Sequence, residues 1–169
     1  MTLFVESPVA ASSLARWLNA SMKPQTFDES VVFLRHPLQR FWSAVKKDYE
    51  ALDVKESVQK VLGKLEGSSF SHYLPQVKNV EGKRVTKVIK MDEAFTDNIR
   101  QAITDNKVKW VEGFDLESVL AKPVNATPSN KSSDALSYIR EDTGIMAQLN
   151  TYYADDFAWW DNPNSKLGG

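Results

Sequence analysis

Ser30–Tyr49 reads SVVFLRHPLQRFWSAVKKDY, and this stretch decides the fold. Ser30 to Leu34 is a short run of β-branched and large apolar residues, the pattern of a buried strand. Arg35 ends the apolar run, and Pro37 stands where a helix can begin, because the first helical turn does not need its N–H. Beyond it Leu38, Phe41, Trp42, Val45, Tyr49 and Leu52 recur at helical spacing and make one apolar stripe. Arg40, Ser43 and Lys47 recur three or four residues apart and are expected together on the opposite face. The segment is thus predicted as strand, turn and helix, with cationic and hydroxyl groups at the strand's carboxyl end. Open α/β sheets bind ligands at that end, and this group of side chains suits an anion.

Length and composition set the bounds. A chain of 169 residues is expected to form one domain over 1–169 and to bury roughly two-thirds of its unfolded surface. With 25% charged residues and a net charge of −1, it is not expected to be a bulk nucleic-acid binder, so any anion site must be a local cluster. There is no cysteine, which removes disulfides and thiolate metal sites. No apolar run approaches membrane-spanning length, and the first residues lack a basic region followed by an apolar core. The expectation is a soluble cytoplasmic protein with no membrane partner.

Along the chain, Thr2 to Glu6 is a strand candidate, followed by Ser7-Pro8-Val9-Ala10-Ala11-Ser12-Ser13 and a helix from about Ala11 to Met22. A strand, a turn of small residues and a helix start form a natural phosphate cradle, with unpaired N–H groups pointing outward. The same residues also fit an ordinary helix capped by Ser7 or Ser12. Val54 to Leu65 is a second helix, and Phe70 to Val77 carries His72, Pro75 and Gln76. His72 can take a proton from a hydroxyl near neutral pH, or be a structural loop residue. Gly82 to Asp92 alternates Val85, Val88 and Ile89 with lysines as a strand, with Asp92 placed to cap a helix running to about Thr104. Lys107 to Val111 reads as a short strand or turn, and Asp115 to Leu120 as a short helix. Lys122 to Ser133 is a loop rich in Pro, Asn, Ser and Thr. Asp134 to Phe157 is helical, Phe157, Trp159 and Trp160 pack on the core, and 162–169 is a loose tail. The predicted fold class is α/β, a parallel sheet of three to five strands flanked by helices.

Four stretches together resemble the carbohydrate sulfotransferase family. Arg35, Pro37, Arg40 and Ser43 match its R-x-P-x-x-R-x-x-S signature. Ser71-His72-Tyr73-Leu74-Pro75-Gln76, Val124-Asn125-Ala126-Thr127-Pro128 and Tyr153-Ala154-Asp155-Asp156-Phe157 then follow in the family's order. The resemblance implies a P-loop-like core binding the co-substrate 3′-phosphoadenosine-5′-phosphosulfate without a metal. It implies that Arg35 and Ser43, with Arg40 nearby, hold the 3′-phosphate, and that His72 orients or deprotonates a hydroxyl acceptor, on a carbohydrate. Pro8, Ser12 and Ser13 would belong to its 5′-phosphosulfate loop, in which Val9 replaces the lysine and Ala11 the glycine. The donor product is then expected to bind, with slow turnover unless another cation, such as Lys47 or Lys131, reaches in. A module that keeps the nucleotide site with weak or no turnover is the alternative. A P-loop kinase has no support, because G-x-x-x-x-G-K-[ST] does not occur.

Overall fold

The computed structural model describes residues 2–6, 12–49, 53–65, 73–121 and 130–166. The central apolar run is strand β1 (Val31–Leu34), buried at all four positions. It pairs in parallel with β2 (Lys87–Lys90), Val31 level with Lys87 and Leu34 with Lys90. On the other edge Val31 donates its N–H to the Leu3 carbonyl and accepts from the Val5 N–H, at 2.8 and 2.7 Å. This parallel bridge is centred on Phe4, so β1 lies in the middle of three parallel segments. A strand covered on both faces has no reason to alternate polar and apolar residues, which is why VVFL is continuous.

The architecture is α/β with parallel pairing, and the described residues hold a two-stranded ladder plus the Phe4 bridge. Two local causes limit the sheet. The outward N–H and carbonyl of Phe4 are both taken by the Asn19 side-chain amide, at 3.1 and 2.7 Å, which satisfies that edge without another strand. The Lys107–Val111 stretch pairs elsewhere, making an antiparallel bridge from Trp110 to Met22 just after the first helix.

Helices cover both faces. The first, α1 (Ser12–Ala20), is followed after β1 by α2 (Pro37–Asp48), which has Pro37 at its first position and His36 as its cap. Then come α3 (Val54–Leu62), capped by Asp53, and the four-residue α4 (Gln76–Asn79). After β2 lie α5 (Phe95–Asp105) and α6 (Leu116–Leu120). Asp92 is not the cap of α5: that position is Ala94, and Asp92 closes the turn before it by accepting the Ala94 N–H at 2.9 Å. The predicted helix over 134–157 is three helices, α7 (Asn130–Glu141), α8 (Thr143–Tyr152) and α9 (Ala154–Asp161). Asp142 makes the first break, because its carboxylate caps α8 through the Ile145 N–H at 3.0 Å. A 3-10 turn, Pro163–Lys166, packs on β2, and its Pro163 carbonyl accepts the Trp159 indole N–H at 3.0 Å.

Alternation along the strands sorts the core. Val31, Phe33 and Ile89 meet α1, α5 and α6 on one face of the sheet. Val32 and Leu34 meet Trp159 on the other, with Val88 and Trp160 packed beside them. A third apolar cluster joins α2, α3, α7 and α8 through Phe41, Trp42, Val58, Ile139 and Leu149. Hence β1 and α2 form the hinge between sheet and helical layer, and the residues linking them lie where the two meet.

Candidate anion site at the strand ends

The link between β1 and α2 is Arg35-His36. Because β1 and β2 are parallel and in register, their carboxyl ends lie side by side, with Arg35 just past one and Lys90 ending the other. Arg35 is half-buried, and its Nε is buried with no hydrogen-bond partner among the described residues. Burial, and secondarily the neighbouring Arg40, push the guanidinium pKa below its ordinary value. A buried donor without an acceptor is rare and costly, and this one belongs to a cation at the carboxyl end of the strands, the edge at which open α/β sheets in general bind ligands.

The Arg35 backbone is held by a side chain from α4. Its N–H donates to Gln76 Oε1 at 3.0 Å, and its carbonyl accepts from Gln76 Nε2 at 2.7 Å. Gln76 is fully buried, as is Asp156 of α9. The Asp156 carboxylate accepts the N–H groups of Gln76 and Val77 at 2.6 and 3.0 Å. It caps a helix whose own cap residue, Pro75, has no side-chain acceptor. Burial raises the Asp156 pKa, while these two N–H bonds and Arg40 pull it back.

Arg40 does not lie on the open face with Ser43 and Lys47. It is 3% exposed, and Nη1 donates to the Leu74 carbonyl at 2.6 Å. The reason is helical geometry: Arg40 shares a ridge with Pro37 and Ala44, and both are buried. Burial lowers its pKa, against the raising influence of Tyr153, Asp156 and Tyr152. Ser43 and Lys47 are exposed, as expected for the outer face of α2.

His36 caps α2 through Nδ1, which accepts the Leu38 N–H at 3.2 Å. Its ring stands edge-on to Trp160 and Phe157, with centroids 5.2 and 6.0 Å away. Burial is the largest cause lowering its pKa; Arg140 and Lys90 add to it and Asp161 opposes. Lys90 Nζ sits 4.1 Å from the centroid of the Trp160 ring. Lys90 therefore joins Arg35 at the strand ends, and Arg140 lies close enough to His36 to act on it; the sequence pattern singles out neither. The signal for Lys90 was its place as the last residue before the turn that follows β2.

The remaining expected residues are dispersed or undescribed. Ser13 is exposed in the first turn of α1, and Ser12 begins that helix. Pro8, Val9, Ala11, His72 and Asn125–Pro128 lie outside the described residues, as do the side chains of Ser12 and Lys131. The chain just after His72 is firmly placed. Tyr73 is buried, its hydroxyl donates to Asp48 Oδ2 at 2.6 Å, and its carbonyl accepts the Tyr153 hydroxyl at 2.6 Å. Burial raises the pKa of both tyrosines, so they act as neutral donors. Beside this strut an open pocket of about 670 Å³ is lined by Leu74, Pro75, Lys78, Gln148, Thr151 and Tyr152.

Among the described residues no three His, Cys, Asp or Glu side chains are grouped to hold a metal, and no helix is long and apolar enough to cross a membrane. Comparison with protein-family models, with curated proteins and with solved structures found no match to this chain.

Proposed function

We propose that the chain binds 3′-phosphoadenosine-5′-phosphosulfate at the strand ends and transfers its sulfuryl group to a hydroxyl, on a carbohydrate acceptor. The observation that carries this reading is Arg35 at the carboxyl end of β1, a half-buried cation whose Nε has no hydrogen-bond partner among the described residues. In the proposal Arg35 and Ser43 grip the 3′-phosphate, and Arg40 contributes charge from beneath, since its Nη1 is committed to Leu74. Ser12 and Ser13, at the start of α1, belong to the 5′-phosphosulfate side. The acceptor occupies the pocket beside Tyr73, next along the chain from His72.

The acceptor oxygen attacks sulfur as the bond from sulfur to the bridging oxygen breaks, and that electron pair leaves on the phosphate. His72 takes the acceptor proton. Negative charge grows on the leaving phosphate and the sulfuryl oxygens, where fixed cations are most effective. Val9 supplies none, and Lys90 is the cation at the strand ends suited to replace it. The reading includes a soluble cytoplasmic protein needing no metal.

Val9 also favours a second reading, a nucleotide-binding module with little turnover. Transfer of labelled sulfuryl from the donor to a panel of sugars separates the two. Transfer that disappears in Arg35→Ala supports the enzyme, tight product binding without transfer supports the module, and neither binding nor transfer rejects both.

A further inference from the structure

Arg35 stands past the end of the β1 ladder, where the last carbonyl paired with β2 is that of Leu34, bonded to Met91 N–H at 2.8 Å. Its own N–H and carbonyl would otherwise face no strand among the described residues. Gln76 fills that role with its side chain, giving one acceptor and one donor to the same residue. This is how a neighbouring strand would hold Arg35, and it fixes the peptides on both sides of the Cα that bears the guanidinium.

Gln76 is itself held from behind. Asp156, 80 residues further on, takes its N–H and that of Val77. Arg40 holds the carbonyl of Leu74. Residues 74–77 are thus tied down by two buried charged groups, and the Gln76 side chain they carry ends on Arg35.

We propose that Gln76 is a positioning residue which, anchored by Asp156 and Arg40, fixes the base of Arg35 and so aims its guanidinium at the bound anion. The inference rests on the reading of Arg35 as the phosphate grip. It gives the second arginine of the R-x-P-x-x-R signature a different task from the first: Arg35 contacts the anion, and Arg40 steadies the support behind it. It also ties Leu74–Gln76 and Asp156 to the signature through one set of hydrogen bonds.

Gln76→Leu in the full chain tests this, because it removes both bonds to Arg35 yet leaves the backbone N–H groups that Asp156 holds. Two readouts apply. One is calorimetric affinity for 3′,5′-bisphosphoadenosine and for adenosine 5′-monophosphate. The other is the Arg35 Nε–H resonance of the ligand-free protein, assigned by its loss in Arg35→Lys. The expected result is a loss of about tenfold or more in bisphosphate affinity, little change for the monophosphate, and a shifted or broadened Nε–H signal. An unchanged preference together with an unchanged Nε–H signal overturns the proposal. If the intact protein does not prefer the bisphosphate, the nucleotide reading falls and the Nε–H signal alone decides the positioning role. Should Gln76→Leu fail to fold, Gln76→Glu keeps the acceptor and loses the donor, and is judged by the same readouts.

Discussion

Asp156→Ala removes a carboxylate on which several buried groups depend. The side chain is fully buried, accepts two N–H bonds and lies close enough to Arg40 for each to influence the other's ionisation. Leaving one buried donor unsatisfied costs about 1–3 kcal/mol, and Asp156 satisfies two of them besides lending Arg40 a nearby opposite charge. The losses overlap, because one carboxylate supplies them all, so a loss of about 2–5 kcal/mol is expected. That is a large share of the roughly 5–15 kcal/mol by which a domain is stable. The charge component can be isolated with Asp156→Asn, Arg40→Met and the double variant, measured by urea unfolding at neutral pH. If the two charges compensate each other, the double variant should be less destabilised than the sum of the singles by about 1–3 kcal/mol. Additivity within about 0.5 kcal/mol would refute the compensation.

Three further outcomes are expected. Only a neutral His36 can accept the Leu38 N–H, and its pKa lies below the ordinary 6.5, first through burial and then through Arg140 and Lys90. The unfolded chain therefore takes up this proton first on acidification. Stability from neutral His36 is complete above the ordinary value and is lost as pH falls through the lowered native one. Thermal unfolding across that window should show a decline that His36→Asn flattens, and an unaltered decline would place the titration elsewhere. His72→Ala should lower turnover by about two orders of magnitude with donor affinity nearly unchanged; full turnover in a folded variant means the base is another group. Val9→Lys, or Ala10→Lys if the loop aligns differently, should raise turnover by up to about a hundredfold and affinity by less. Brisk turnover of the unmodified protein with Lys90→Met also active would show that no side-chain cation is needed there.

What was legible in the sequence was local. A continuous apolar run, a proline at a first helical position and a stripe at helical spacing placed β1, α2 and Arg35 without reference to any distant residue. The sheet's extent was not legible, because the Phe4 edge is closed by the side chain of Asn19, and no strand pattern announces that. Charge and spacing alone put Arg40 on the open face, because a charged residue is expected in water. Its neighbours on the same ridge, Pro37 and Ala44, were the signal that it turns inward. The division of 134–157 turned on Asp142, which looks like an ordinary helix-face carboxylate until its cap bond to Ile145 is seen. Gln76 and Asp156 stand in the sequence only as members of separate motifs, since the bond that joins them spans 80 residues. Lys90 fits the alternation of an ordinary strand, and its meeting with Trp160 depends on the packing of α9 against the sheet.

The most direct test of the central claim is calorimetry of the intact protein with 3′,5′-bisphosphoadenosine and adenosine 5′-monophosphate, repeated with Arg35→Ala. If Arg35 grips the 3′-phosphate, the bisphosphate binds more tightly, and Arg35→Ala removes about 1.5–3 kcal/mol of that preference, the scale of a charge-assisted hydrogen bond. Equal affinity for the two nucleotides in the intact protein would contradict the assignment.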